Sequence, residues 1–355
     1  MELKTDTLII GAGLTGLTLA YWLQQSGRQA CLLEARARPG GRVHTDYQAG
    51  QAPVELGATW FGNKHTALMS LLEELKLSSF PQELGRQAIY EPISTSPPQV
   101  VQLPPNEEPS YRIAGGSSAL VQALLAQLNG TPVHYHMPVA KLARKGESIV
   151  AEAPGLRATA QRVVSTLPPH LLAKSITLQP GLPEEVAAIA ARTHTWMGDS
   201  IKVAFRYKEA FWRKPGSSGT LFSNVGPIPE MYDHADADGG HFALKGFFNS
   251  AYHSISREER QEMALQQLSR YYGDAARSYT GYLEAVWQQE PYTFAPYNAS
   301  VLPHQHNGHA IFRKPLWGGR LWIAGSETAP AFPGYMDGAV RSARFTFEAI
   351  CQAPY

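Results

Sequence analysis

The chain has 355 residues, 44% of them hydrophobic and 17% charged, and its 31 Lys and Arg against 30 Asp and Glu leave a formal net charge of +1 at pH 7. That length suits about two domains rather than one small core, and the cancelled charge excludes a field that would gather nucleic acid or anionic lipid. Two cysteines, Cys31 and Cys351, exclude a disulfide framework and fit a reducing compartment.

Met1-Glu-Leu-Lys4-Thr-Asp6 runs straight into an apolar stretch, so no secretory leader is expected. No apolar run reaches the ~18 residues needed to cross a bilayer, and we expect a soluble, cytoplasmic protein. Leu8-Ile9-Ile10 reads as a short strand buried on both faces, and residues 14–25 carry apolar side chains at helical spacing. Between them, Gly11 permits a tight strand-to-helix turn, Gly13 lets backbone approach a pyrophosphate, and Gly16 allows the helix to lie close to the sheet. The first N–H groups of that helix and its dipole favour phosphate. Ala30-Cys-Leu-Leu33 reads as a second strand. Glu34 at its end can accept hydrogen bonds from an adenosine ribose and disfavours a 2′-phosphate, so NADP is not expected. Strand, glycines, helix, strand and acid in one unit point to a dinucleotide site rather than an ordinary glycine turn; they serve NAD and FAD equally.

Residues 1–78 read as one α/β segment ending in a helix over 66–77. Residues 81–109 are rich in proline, serine and glutamine, and Pro97-Pro98 and Pro104-Pro105 oppose regular helix, so irregular strands and loops are expected. Gly115-Gly-Ser-Ser118 opens a helix over 119–128. Strands follow over 133–135, 148–151 and 162–166, the last stopped by Pro168-Pro169, while Lys141, Arg144 and Lys145 read as a solvated turn. From 183 to 290 the pattern changes to a helix over 184–191, strands over 201–207 and 242–248, and an amphipathic helix over 257–272. Glycine-rich connections are expected over 215–219 and 236–240. Residues 320–325 read as strand then turn, and 337–350 as helix. His304-Gln-His306-Asn-Gly-His309 lacks the carboxylate or cysteine company of a metal centre, so we expect solvated loop histidines and no metal. Trp60, Phe61, Trp196, Phe247 and Tyr252 suit core packing as well as a pocket wall.

Six pieces then occur in family order: Gly40-Gly41-Arg42-Val43, Glu55-Leu-Gly57-Ala-Thr59, Gly115-Gly116, Val163-Val-Ser-Thr166-Leu-Pro168, Ala324-Gly325-Ser-Glu327-Thr328 and Gly334-Tyr335-Met336-Asp-Gly338-Ala339. In them the chain resembles the flavin-containing amine oxidases related to monoamine oxidase. The resemblance implies an α/β plus α+β fold, with a Rossmann-like FAD-binding domain of the glutathione-reductase/amine-oxidase type and an inserted mixed-sheet substrate domain. The former would comprise residues 1–78, 112–182 and 291–355, the latter 79–111 and 183–290.

The same resemblance implies FAD as cofactor, touched by Gly11, Gly13, Leu14, Thr15 and Gly16 at the first turn. Glu34 would hold the adenosine ribose, with Ala35 and Arg36 near the adenosine and Gly40, Gly41 and Arg42 near the pyrophosphate. Val139 matches the adenine-contacting strand. Gly57, Ala58, Thr59, Trp60, Thr166 and Gly325 complete the contacts, Glu327 matches an acid near the phosphate and ribityl region, and Met336 would offer a backbone N–H to the flavin, with Ala339 in the same helical turn. Lys202 matches a lysine that holds a water against flavin N5; a lysine in an apolar strand is expensive to bury, which argues for a purpose. Tyr335 and Tyr297 match the walls of an aromatic cage, whose π faces would select an amine as it sheds its proton and shield it from water.

Pro296 stands where members that tether their flavin carry cysteine, so FAD is expected without a covalent link. The chain is shorter than family members commonly are, with the deficit in the substrate domain, and no membrane anchor is expected after Tyr355. The implied activity is oxidation of a small-molecule amine, with a hydride equivalent passing to flavin N5 and O2 yielding H2O2. The short chain also suits a renalase-like, desaturase-like or protoporphyrinogen-oxidase-like enzyme, or an FAD-stabilised binding protein; Lys202, Tyr297 and Tyr335 favour the amine. Arg192, Arg206 and Arg313 stay unranked as substrate contacts, which leaves the amine open, as the sequence leaves the oligomeric state.

Overall fold

The computed structural model describes residues 1–352, so Tyr355 lies outside the described residues. Strand β1 (Glu2–Ile10) leads through Gly11–13 into helix α1 (Leu14–Gln25) and strand β2 (Ala30–Leu33). They belong to an eight-stranded sheet in the order Val133–His134, β2, β1, Leu156–Ser165, Ser148–Ala153, Lys141–Lys145, Thr177–Gln179, with Leu321–Ile323 also pairing Leu156–Ser165. β1 runs parallel to both its neighbours. Its last residues are buried on both faces because both faces are covered. Ile9, Leu32 and Val164 pack under α1 and the final helix Met336–Gln352, while Leu8, Ile10, Cys31 and Leu33 meet a second core on the other side. α1 is buried over Leu14–Leu23, lying between the sheet, the final helix and helix Ser118–Gln127, which explains its apolar residues all round.

A second eight-stranded sheet has the order Gly281–Val286, Ile201–Tyr207, Phe242–Phe248, Glu230–Asp233, Ser217–Ser223, Gln87–Glu91, Gln99–Gln102, with Arg213–Lys214 at its side. Helix Arg257–Tyr272 covers one face, its start fixed by a reciprocal Ser256–Glu259 capping box. Along Ile201–Tyr207 the odd positions Ile201, Val203 and Phe205 face that helix core. Ala204 faces Ala52, Val54 and Leu56 instead, so the even positions Lys202, Ala204 and Arg206 lie against the segment that follows the nucleotide turn. The whole strand is therefore buried, polar residues included.

Several expectations change. Pro168-Pro169 does not only stop a strand; it starts the helix Pro169–Ser175, since proline at the first helical position loses no hydrogen bond. The basic residues at 141–145 form a strand paired on both sides rather than a turn. Val139 precedes that strand and lies in none. The expected connection over 215–219 is largely the strand Ser217–Ser223, in which Gly219 makes room for Trp212. Helix Glu184–Ala191, expected with the second unit, buries Val186 and Ala190 in the core of the first sheet. Among the described residues no helix is long and apolar enough to cross a membrane.

Candidate functional site

The turn after β1 is built to bring backbone close to a ligand. Gly11 has φ +100°, and a Cβ there would come 2.7 Å from Thr166 Oγ1, which itself donates to the Ile10 carbonyl at 2.9 Å. A Cβ on Gly16 would run into the Gly11 carbonyl, so only glycine lets the helix start this near the strand. No side chain caps α1, which leaves its first N–H groups to a ligand. The Glu34 carboxylate accepts from Ala12 N–H at 2.8 Å and from Arg36 N–H at 2.9 Å. An ionised carboxylate has about four acceptor positions, so two stay open for ribose hydroxyls.

These groups line one cleft of about 580 Å³. Of the residues to which the resemblance assigns cofactor contacts, its wall contains Gly11, Gly13, Leu14, Thr15, Glu34, Ala35, Arg36, Gly40, Gly41, Arg42, Ala58, Val139, Thr166, Tyr335, Met336 and Ala339. Gly16, Gly57, Thr59, Trp60, Gly325 and Glu327 are not among the residues that line it. Pro291, Tyr292 and Thr293 line it without having been anticipated; Thr293 accepts from Arg36 at 2.7 Å, and Glu290 pairs with the same arginine at 2.9 Å. No periodic or glycine signal marks that stretch of sequence. The cleft also joins the two ends of the chain, as Thr15 Oγ1 donates to the Ala339 carbonyl at 3.2 Å.

Arg42 binds the fully buried Glu327 through two parallel hydrogen bonds of 2.6 and 2.8 Å, and donates further to Ser326 Oγ and the Trp196 carbonyl. Burial lifts the Glu327 carboxyl, but the Arg42 charge and these hydrogen bonds outweigh it and hold the acid below its ordinary range. The pair fixes the Arg42 guanidinium in the cleft wall.

Lys202 is buried, and its Nζ donates to the Gly57 carbonyl and reaches Thr59 Oγ1 at 3.4 Å. Burial lowers its pKa to about 8 against the pull of Glu55. Beside it lies a second lysine that the sequence reading missed. Lys245 is fully buried, donates to the same Thr59 hydroxyl at 3.0 Å and sits 4.0 Å from the ring centre of Trp60. The sign of it was present: like Lys202, it interrupts an apolar strand. Trp60 packs edge-on to Tyr232 and donates to Gln82, so it forms part of this interior.

Tyr335 is 38% exposed within the cleft. The rings around it are His65 at 5.6 Å, Trp196 at 5.9 Å and His304 at 6.3 Å, the last within 12° of parallel. Trp196 and His304 stack on each other at 3.9 Å, and a Cβ on Gly334 would meet the Trp196 side chain at 2.5 Å. Burial lowers the pKa of His65 and of His194, which also lies against Trp196. Tyr297 is elsewhere. It stacks on His170 at 4.1 Å, its hydroxyl donates to the Thr193 carbonyl, and it accepts from Thr195 N–H at 2.8 Å. The structure thus brings Tyr335 together with Trp196 and His304, and ties Tyr297 to the segment that carries Trp196. His304 is not the solvated loop residue expected, and His306 and His309 are half-buried. No group of three potential metal ligands occurs among the described residues. Of the unranked arginines, Arg206 is bound to Asp46 and Arg313 to the Gly308 and Thr328 carbonyls, while Arg192 is exposed.

The cleft fits a flavin dinucleotide by its glycine turn, its uncapped helix and its half-used carboxylate. A family model described as flavin containing amine oxidoreductase matches residues 14–97 and 93–351. The chain is 25% identical to a protein described as probable flavin-containing monoamine oxidase A of Dictyostelium discoideum, with 96% of each covered. It is also 25% identical to amine oxidase [flavin-containing] B of Cavia porcellus, over all of this chain and 88% of the relative. The solved structure of wild-type putrescine oxidase bound to putrescine shares the fold, with a TM-score of 0.85 at 24% identity over 99% of this chain and all of that one. With its cleft and its sequence in agreement, the chain belongs to the flavin-containing amine oxidoreductases, enzymes that use FAD.

Proposed function

We propose that the chain oxidises a small-molecule amine to an imine, which water hydrolyses to a carbonyl compound and ammonia or a smaller amine, while O2 is reduced to H2O2. The observation that carries this reading is Tyr335, which stands in the wall of the same cleft as Gly13 and Glu34 and packs against the rings of Trp196 and His304. FAD, when bound, supplies the redox chemistry by taking a hydride equivalent from the carbon next to nitrogen.

The residues do the rest. The α1 N-terminus and Arg42 hold the pyrophosphate, and Glu34 holds the ribose. Tyr335, faced by Trp196 and His304, offers π surfaces that favour an amine as it loses its proton and keep water from the reacting carbon. Lys202 is bonded to Gly57 and Thr59, the chain neighbours of Ala58 in the cleft wall, and supplies a positive charge where oxygen is reduced. Cys31 lies in β2 and Cys351 in the final helix, and neither lines the cleft; FAD is held without a covalent link.

The test is to load the purified protein with FAD and add mono-, di- and polyamines without oxygen. At least one should bleach the flavin absorbance, and a panel that leaves it intact would remove the amine from this proposal. Acid precipitation should leave the flavin in the supernatant; colour in the pellet would contradict the non-covalent assignment.

A further inference from the structure

Lys245 is the buried titratable group that the proposed reaction does not use. In the pairing of Ile201–Tyr207 with Phe242–Phe248, Lys202 stands opposite Phe247 and Ala204 opposite Lys245, so both lysines project from one face of the sheet. Both reach Thr59 Oγ1, and both lie over the Phe247 ring, at 5.1 Å for Lys202 and 4.8 Å for Lys245. The Thr59 hydroxyl gives its own proton to the Gly57 carbonyl at 3.2 Å, which frees its lone pairs for the two amines.

Few countercharges face them. Glu55 comes from the short strand Val54–Glu55 and Glu230 from Glu230–Asp233, while Arg112 adds positive charge from Ser110–Ile113. Glu55 already accepts from Ser117 N–H, Ser117 Oγ and Thr45 Oγ1, so it meets the lysines through its charge rather than through a hydrogen bond. His234 is buried and held neutral, chiefly by burial and then by the Arg112 charge. Two full ammonium charges side by side here would repel without water to screen them. An ammonium beside a neutral amine is different. Lys202 has three N–H groups, two of which point to Gly57 and Thr59, and the neutral Lys245 nitrogen offers the one lone pair that the third can use.

We propose that Lys202 and Lys245 hold a single proton between them, with Lys202 the ammonium and Lys245 the neutral amine, so that Lys245 is a positioning residue which keeps the cation on the flavin side. The directions of titration agree. Burial and then the Lys202 charge press Lys245 far below the ordinary lysine range, whereas for Lys202 the pull of Glu55 and then a hydrogen bond donated to Lys245 oppose burial. The inference rests on the assignment of Lys202 to the flavin side.

The test separates the two claims because it needs no amine. FAD-loaded protein is reduced with dithionite, mixed with O2 across a pH series, and the midpoint of the reoxidation rate is read. Lys245→Met should move that midpoint down by about one pH unit or more, since the Lys202 ammonium loses its acceptor. Lys245→Gln, whose carbonyl oxygen still accepts, should stay near the wild-type midpoint. In a Lys202→Met background, Lys245→Met should change nothing further. An unchanged or raised midpoint in Lys245→Met overturns the pairing. Independently, ¹⁵N NMR of the lysine side chains in the FAD-loaded wild type should show one buried amine and one buried ammonium at neutral pH; two ammonium signals overturn it, even if the variants fail to fold. Wild-type reoxidation in Lys202→Met would instead reject the role of Lys202, while the NMR result would still decide the pair.

Discussion

Replacing Arg42 by Lys keeps the charge but loses the planar fork that meets both oxygens of Glu327. Glu327 is fully buried, so a poorly matched partner there leaves an expensive charge; removal of one partner of a buried pair typically costs roughly 3–5 kcal/mol. We expect Arg42→Lys to lower the thermal midpoint of the apoprotein and to weaken FAD binding together, read by melting curves and flavin fluorescence titration. Lys202→Met should slow reoxidation of reduced flavin by O2 at least tenfold, roughly 1.4 kcal/mol of barrier, while leaving the FAD dissociation constant near wild type. An equal loss of both would count against its placement. Trp196→Ala should lower the rate of anaerobic flavin reduction by amine more than Tyr297→Phe does, because Trp196 faces Tyr335 and the Tyr297 hydroxyl is bound to the backbone of Thr193 and Thr195. At this scale the sequence disclosed residues that carry a local signature: glycines about a turn, an acid at a strand end, a lysine inside an apolar run. Trp196, His65 and His304 carry none. They meet Tyr335 only because separate loops fold over the same turn, and no spacing along the chain records that.

Elements were legible where one period dominates. α1 and the helix Arg257–Tyr272 fall where their apolar spacing puts them, whereas only the last three residues of β1 were legible as an apolar run; the strand begins at Glu2 because Glu2–Thr5 pair with Arg157–Ala160. The strands Glu230–Asp233 and Gly281–Val286 were missed because Glu-Met-Tyr-Asp and Gly-Tyr-Leu-Glu-Ala-Val are stabilised by pairing with neighbours rather than by their own pattern. The basic strand Lys141–Lys145 was missed because two of its charges, Arg144 and Lys145, sit exposed at its end beyond the buried Leu142 and Ala143. The capping box gives a clean test of element energetics. Ser256→Ala should cost about 1 kcal/mol of unfolding free energy, measured by urea titration, with FAD affinity unchanged because the cap lies away from the cleft.

For the whole molecule, acid should be destabilising before the carboxylates titrate. Burial and the Arg38 charge hold His44 down at about 4, and His234 lies well below its ordinary 6.5. The unfolded chain therefore binds more protons than the folded one below pH 6.5, and stability falls as pH falls through that value. For His44 alone the loss should reach roughly 3 kcal/mol by pH 4, read from urea midpoints across pH; His44→Asn should flatten the slope between pH 6.5 and 4. The expected shortness of the chain also has a counterpart in the comparisons. Its alignment to the Dictyostelium relative runs over 451 positions against 355 residues here, so this chain lacks residues at many positions that the relative fills.

The hydrogen bond from Thr15 to Ala339 spans 324 positions of sequence. A ribosome that has finished the first glycine turn must therefore add more than 300 further residues before the facing wall exists. The newly made N-terminal portion holds the loop for a pyrophosphate but lacks Tyr335, Met336 and Ala339, so it cannot enclose a flavin during synthesis. A polypeptide that stops before the last helix therefore carries a nucleotide turn without the wall that faces it.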